Sequence, residues 1–261
     1  MTEGTVLYQR EGNVGIITLN RPQRLNAITV ELLRDFMDRL EVARQDREAA
    51  VIILTGAGRA FCAGEDLKET AAGKSLELWQ EETERLQNVQ RLVLKLGKPL
   101  IAAVRGYAVG GGCEFAMSCD LRLAAEDAQF GFPETGVGMT VTTAGTKLLT
   151  QLVGLGKAKE LILAGDFIDA TEAARIGLVN KVVSNDSLLD ETLAMAHKIS
   201  KRSPLALKLS RIAIDQGLET SFEQTLELEA NHLLRCVGVQ NELEFVEKRL
   251  TEMKRGDSEG S

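Results

Sequence analysis

The sequence predicts an α/β fold with a helical C-terminal part. Short apolar runs of strand character alternate with glycine-rich loops and amphipathic helices, and the succession of strand, glycine loop and helix occurs twice. From Thr143 onward helical periodicity takes over. Residues 6–10 and 14–19 flank Glu11-Gly12-Asn13, which reads as a β-hairpin. Thr29 is a candidate N-cap for a helix whose apolar residues Leu32, Leu33, Phe36, Leu40 and Ala43 share one face. Residues 51–54, Val-Ile-Ile-Leu, have the unbroken apolar character of a strand covered on both sides. A glycine-rich loop over 56–64 follows, then a long helix carrying Leu76, Trp79, Leu86, Val89 and Val93. Residues 99–104 are the next buried strand, Gly110-Gly111-Gly112 opens another turn, and 121–124 resume strand character. Leu148, Leu149 and Leu152, residues 161–164, and the stretches 187–200, 204–217, 221–234 and 239–253 favour helices.

The expected organisation is a core over 1–190, a helical subdomain over 191–255, and a small, acidic tail over 256–261 that is expected to be disordered. With 261 residues, 44% of them hydrophobic, the chain is long enough to bury a sizeable core. It carries 31 basic against 38 acidic side chains, a net charge of −7, so a phosphate backbone would repel it and nucleic acid is not an expected partner. No apolar run reaches the roughly 18 residues that span a bilayer, so no membrane association is expected. Met1-Thr2-Glu3-Gly4 lacks the basic and apolar pattern of a leader, which points to the cytoplasm. Cys62, Cys113, Cys119 and Cys236 have no C-x-x-C spacing and read as free thiols of a reducing compartment. His197 and His232 lie far apart, so a histidine metal site or a Ser-His-Asp triad has almost no material.

Two glycine loops are candidates for chemistry. Thr55-Gly56-Ala57-Gly58-Arg59-Ala60-Phe61 follows a strand, but Phe61 stands at the third glycine of a dinucleotide fingerprint and no helix pattern begins there. Neither loop contains the Gly-Lys-Ser/Thr of a triphosphate site. Gly110-Gly111-Gly112 follows a buried strand and opens a helix, whose first N–H groups lack intrahelical partners and suit an oxyanion. Glu114, three residues after Gly111, falls on the same edge as that amide among apolar neighbours, where desolvation would raise its pKa toward proton transfer. The plain alternative is a negative charge in the first turn that complements the helix dipole. Glu134 follows a short strand and Pro133; an acid there is commonly a solvated loop residue or cap, yet two acids from different loops can form an acid/base pair.

Four segments in order carry a further reading. They are Asn20-Arg21-Pro22 with Leu25-Asn26-Ala27, then residues 60–67 (Ala-Phe-Cys-Ala-Gly-Glu-Asp-Leu), then residues 101–114 ending in Gly110-Gly111-Gly112-Cys113-Glu114, then Phe130-Gly131-Phe132-Pro133-Glu134. Together they resemble the enoyl-CoA hydratase/isomerase (crotonase) superfamily over nearly the whole chain. The resemblance implies a crotonase-like spiral of ββα units, a helical C-terminal trimerisation part, and a homo-oligomer, trimer or hexamer. It implies an acyl-CoA thioester as substrate, with coenzyme A arriving as part of it and no metal or other cofactor. It further places the thioester oxygen on the backbone N–H groups of Glu65 and Gly111 and assigns catalysis to Glu114 and Glu134. Binding of CoA and substrate falls to Arg24, Leu25, Ala27, Ala60, Ala63, Gly64, Asp66, Leu67 and Gly110, with Phe245 and Lys248 closing over the pocket. Val141 and Thr142 belong to the acyl pocket.

Two departures stand out. Glu65 occupies a position commonly small in the family, where its side chain would add charge near the entrance. Val141-Thr142-Thr143 replaces a Pro-Gly pattern followed by paired glycines, so the acyl pocket is expected to differ in shape. The presence of both glutamates favours addition of water across a 2-enoyl-CoA. The alternatives are a relative that moves the double bond with one glutamate as proton shuttle, and a non-catalytic binding protein, which lacks a basic stripe for RNA.

Overall fold

The computed structural model describes residues 4–238 and 242–259. The opening hairpin forms as expected: β1 (Val6–Glu11) and β2 (Val14–Leu19) pair antiparallel, with Tyr8 opposite Ile17. Thr29 caps α1 (Val30–Gln45) by accepting the Leu32 N–H, and the five apolar residues of its inner face are buried. In β3 (Val51–Gly56) the Val-Ile-Ile-Leu run is covered on both faces. The glycine loop leads to α2 (Leu67–Ala71) and to α3 (Leu76–Lys95), which Ser75 caps. There follow β4 (Leu100–Val104), β5 (Tyr107–Val109), α4 (Gly111–Met117), β6 (Leu121–Ala125) and β7 (Gln129–Gly131). After a 3-10 turn over Pro133–Val137 come α5 (Gly145–Val153), α6 (Leu155–Ala164), β8 (Ile168–Asp169), α7 (Ala170–Arg175), β9 (Lys181–Val183) and α8 (Leu188–Ser200). Helices α9 (Pro204–Gly217), α10 (Phe222–Val237) and α11 (Glu242–Glu259) complete the chain.

The main sheet runs β1-β2-β3-β4-β6-β9, parallel except for the hairpin, and a smaller sheet runs β5-β7-β8. Ile16, Ile53 and Ile101 stand in register across three neighbouring strands. The fold is the expected α/β mixture, but the part after Thr143 is not helical throughout: β8 and β9 lie within it. Strands of two and three residues are too short to show a period of two.

The chain divides into two compact units, one ending at His197 and one beginning at Lys198. The division lies inside α8, whereas the sequence places it after 190. Helix α11 continues through residues 256–259, expected to be disordered, because extending a formed helix is easier than nucleating one. Residues 239–241, at the start of the last expected helix, and 260–261, at the end of the expected tail, lie outside the described residues. All four cysteines are free. Among the described residues no helix is long and apolar enough to cross a membrane.

Within the first unit the core sits between the main sheet and its helices, with Phe36 of α1 edge-on to Phe115 of α4 at 5.3 Å. Buried Arg122 donates to the carbonyls of Cys119 at 2.6 Å and Leu178 at 2.7 Å. Those bonds satisfy its buried guanidinium and hold the C-terminal end of α4.

Candidate active site

Three loops converge because backbone bridges draw them together. Asn26, fully buried in the left-handed region at φ 56°, has its amide nitrogen 3.0 Å from the Ala57 carbonyl and 2.8 Å from that of Ala60. Its amide oxygen accepts the Arg21 N–H at 2.8 Å. One side chain thus ties the 20–27 segment to the glycine loop. Ile28 donates to the Gly64 carbonyl at 2.7 Å and accepts the Asp66 N–H at 3.2 Å, forming a parallel bridge opposite Glu65. In such a bridge the N–H of the opposed residue points to the other side, so the Glu65 amide turns away from Ile28. A second bridge joins Cys62 to Ala108, and a Cβ on Gly112 would stand 2.2 Å from the Cys62 carbonyl oxygen. Glycine at 112 therefore permits the close approach of α4 to the loop. Gly110 precedes α4 at φ 53°, and Gly111 is its first residue, so the Gly111 N–H has no partner within the helix.

These elements surround a cavity of about 610 Å³. Its walls include Gly110 and Gly111, Ala63 to Glu65, both Glu114 and Glu134, and a mainly apolar lining that includes Leu25, Ile28, Leu86, Val109 and Met139. Glu114 of α4, Glu134 of the 3-10 turn and the amides of Glu65 and Gly111 therefore share one mainly apolar enclosure.

The two carboxyls are held differently. Glu114 is 1% exposed, and its Oε1 accepts the N–H groups of Thr143 at 2.6 Å and Gly145 at 3.1 Å, at the start of α5. Burial pushes its pKa up, while the donated N–H bonds pull it back. Glu134 is half-buried, and its Oε2 is buried with no hydrogen-bond partner among the described residues. Burial raises its pKa too, and the charge of Glu114 pushes it the same way. A Cβ on Gly110 would stand 2.9 Å from Glu134 Oε1, so the glycine leaves room for that carboxyl. One acid is braced by two amides and the other has an unengaged oxygen, an arrangement able to split acid and base roles.

Glu65 does not leave its carboxylate at the entrance. Its Oε1 accepts Thr70 Oγ1 at 2.7 Å and the ammonium of Lys74, which also reaches Glu82 Oε2 at 2.6 Å and lies 4.7 Å from the Trp79 ring centroid. The side chains of Lys74 and Glu82 are both buried, and Glu82 lines the cavity. Neither stands out in the sequence, because Lys74 is a lone charge in a small-residue turn and Glu82 falls in an ordinary charged stretch of α3.

Of the other residues singled out by the sequence, Leu25, Ala63, Gly64, Leu67, Gly110 and Thr142 line the cavity. Arg24, Ala27, Ala60, Asp66 and Val141 are not among its walls. Asp66 caps α2 and pairs with Arg21 at 3.4 Å and Arg24 at 3.7 Å; Ala27 and Ala60 are buried and lend carbonyls to Arg21 and Asn26. Val141 packs against the apolar core. Phe245, half-buried, and Lys248, exposed, lie on α11 of the second unit.

A family model described as enoyl-CoA hydratase/isomerase matches residues 9–255. The short-chain-enoyl-CoA hydratase of Clostridium acetobutylicum is 40% identical over 257 residues, covering 97% of this chain and 98% of that protein. The crotonyl-CoA hydratase of Syntrophomonas wolfei is 38% identical over 254 residues, covering 95% and 97%. Among solved structures, an enoyl-CoA hydratase from Bacillus anthracis matches with a TM-score of 0.91 at 34% identity, covering 95% of this chain and 96% of that one. The chain belongs to the enoyl-CoA hydratase/isomerase family.

Proposed function

We propose that the protein is an enoyl-CoA hydratase that adds water across the 2,3 double bond of a short-chain enoyl-CoA thioester. The observation that carries this reading is the pairing of Glu114 and Glu134, both raised in pKa by burial, in one cavity with the amides of Glu65 and Gly111. The thioester oxygen accepts those two N–H groups, which stabilise the negative charge it gains as the enolate forms. Glu114, braced by two amides, is the carboxylate that takes a proton from water as its oxygen bonds to C3. Glu134, whose proton-bearing form is favoured by burial and by its neighbour's charge, delivers a proton to C2. Water supplies both the hydroxyl and, after return of the proton from Glu114, the hydrogen. The reaction is redox-neutral and calls for no metal or further cofactor.

The names of the two relatives support short acyl chains. Binding of CoA by the segments around Leu25 and 63–67, and its coverage by Phe245 and Lys248, rests on the family resemblance. The trimer or hexamer implied by the resemblance is supported by apolar side chains on the second unit that stay exposed in the single chain, Phe222 at 81% and Leu234 at 68% among them. The cytoplasm is the proposed compartment, on the free cysteines, which suit a reducing environment. The test is an assay of the purified protein on enoyl-CoA thioesters of different length and double-bond position with product identification. A 3-hydroxyacyl-CoA as main product supports the reading, and a shifted double bond without hydration favours the isomerase alternative.

A further inference from the structure

We propose that Glu82 is a specificity-determining residue of the acyl side, selecting thioesters that carry a hydroxyl group next to the double bond. The inference rests on the hydratase reading and deepens it.

Glu82, 1% exposed on α3, lines the same cavity as Glu114 and Glu134. Its Oε2 is engaged by Lys74 at 2.6 Å, whereas its Oε1 is buried and has no hydrogen-bond partner among the described residues. A buried carboxyl oxygen left without a donor is costly, so a ligand group that supplies one gains more here than at a solvated acid. Around it stand Trp79, Thr83 and Leu86 of the same helix, which cannot turn the wall into an aqueous surface.

Two connections place Glu82 on the stretch of wall between the two halves of the site. Through Lys74 it is joined to Glu65, whose amide faces the cavity next to Gly111. Farther along α3, Gln87, Gln90 and Arg91 border a smaller cavity together with Thr142 and Thr143, the segment that braces Glu114. Glu82 precedes Gln87 by five residues, about 7.5 Å of helix rise. It therefore lies along α3 between the end tied to the Glu65 loop and the end that borders the 142–143 segment, on the wall of the shared cavity.

The chemistry of the cluster narrows what it accepts. An alkyl group leaves Oε1 unpaired. A carboxylate meets the charges of Glu82 and Glu65, which a single ammonium already shares. A second ammonium at Oε1 would face Lys74 across one carboxyl group. A hydroxyl donates to the ionised carboxylate, and because it also accepts, it suits the protonated acid that burial favours here. The plain alternative is that the Glu65–Lys74–Glu82 chain only pins the start of α3 to the loop.

The test uses the full chain and two readouts. Calorimetry compares butyryl-CoA with 4-hydroxybutyryl-CoA, and kcat/KM compares crotonyl-CoA, 4-hydroxycrotonyl-CoA and the four-carbon enoyl thioester ending in a carboxylate. The hydroxylated member is expected to be preferred by about 10-fold or more in both, the scale of a hydrogen bond to a charged group, with the carboxylate the poorest. Glu82→Leu is expected to bring the hydroxyl-to-alkyl ratio near one, and Glu82→Gln to keep part of it. Equal wild-type affinities for the two saturated thioesters overturn the inference whether or not the variants fold, as does an unchanged ratio in Glu82→Leu. Preferential binding without hydration of any thioester would leave Glu82 recognition standing and overturn the hydratase reading instead.

Discussion

The carboxyl of Glu114 accepts the backbone N–H of Thr143 at 2.6 Å. The segment that departs from the family pattern is therefore the one that braces this acid, and its β-branched residues stiffen the brace as well as shaping the pocket. Gly145 completes it, because a Cβ there would stand 2.6 Å from Glu114 Oε1 and 2.5 Å from a Val141 methyl. Gly145→Ala is expected to lower kcat by about 10²-fold, the cost of misplacing a catalytic group by roughly an ångström. Thioester affinity should change far less. Steady-state kinetics beside a binding titration separate the two, and an unaffected kcat would mean that the brace does not matter to turnover.

Proline is tolerated at the first position of a helix, so Gly111→Pro removes an N–H from the cavity while keeping α4. A Cβ at this position meets the Ile28 Cδ1 at 2.8 Å, so Gly111→Ala is the control for bulk alone. The proline variant is expected to be about 10²–10³-fold slower than the alanine variant, the cost of one oxyanion donor. Equal rates would place the thioester oxygen elsewhere.

Burial raises the Glu134 carboxyl above the ordinary glutamate range, so the folded chain binds that proton more tightly than the unfolded chain. The stabilisation from protonation is complete below the ordinary value of about 4.3 and is lost as pH rises through the folded-state value. Glu134→Gln cannot ionise. Its melting temperature should exceed that of the wild type at pH 8, and the difference should close in acid. Thermal denaturation across that range checks the sign, and a gap that widens on acidification would contradict it.

Asn26→Ala removes the amide that reaches the Ala57 and Ala60 carbonyls and leaves those acceptors without it. The expected loss of stability is about 1–3 kcal/mol for each buried group left unpaired, with activity reduced because the loop bearing Glu65 loses its tie. Urea unfolding gives the first quantity, and a change within error would mean that the backbone bridges alone hold the loop.

The elements that the sequence shows clearly are those with enough residues to display a period and a boundary. Helix α1 has five buried apolar positions and a Thr29 cap, and β3 has four consecutive apolar residues. Strands β5, β8 and β9, with two or three residues each, exist only because neighbours pair with them. In the site, Glu114 is legible from a glycine turn at a helix start, whereas Glu134 is only a weak candidate after Pro133 until the resemblance assigns it a role. The brace at Thr143 and Gly145 is made of backbone amides, which side-chain types do not encode. Asn26 had a weak signal, since asparagine is one of the few residues that enter the left-handed region readily. Lys74 and Glu82 look like surface charges until α3 and the glycine loop are brought together.

On the proposed mechanism Glu114 and Glu134 act as a pair on water and an enoyl thioester. The most direct measurement is the hydration rate of crotonyl-CoA by the wild type, Glu114→Gln and Glu134→Gln, with 3-hydroxybutyryl-CoA identified by mass spectrometry and thioester binding measured alongside. The wild type is expected to form this product, and each variant to be slower by about 10²-fold or more, the scale of lost general acid–base catalysis, while still binding thioester. Near-wild-type hydration in both folded variants would contradict that mechanism.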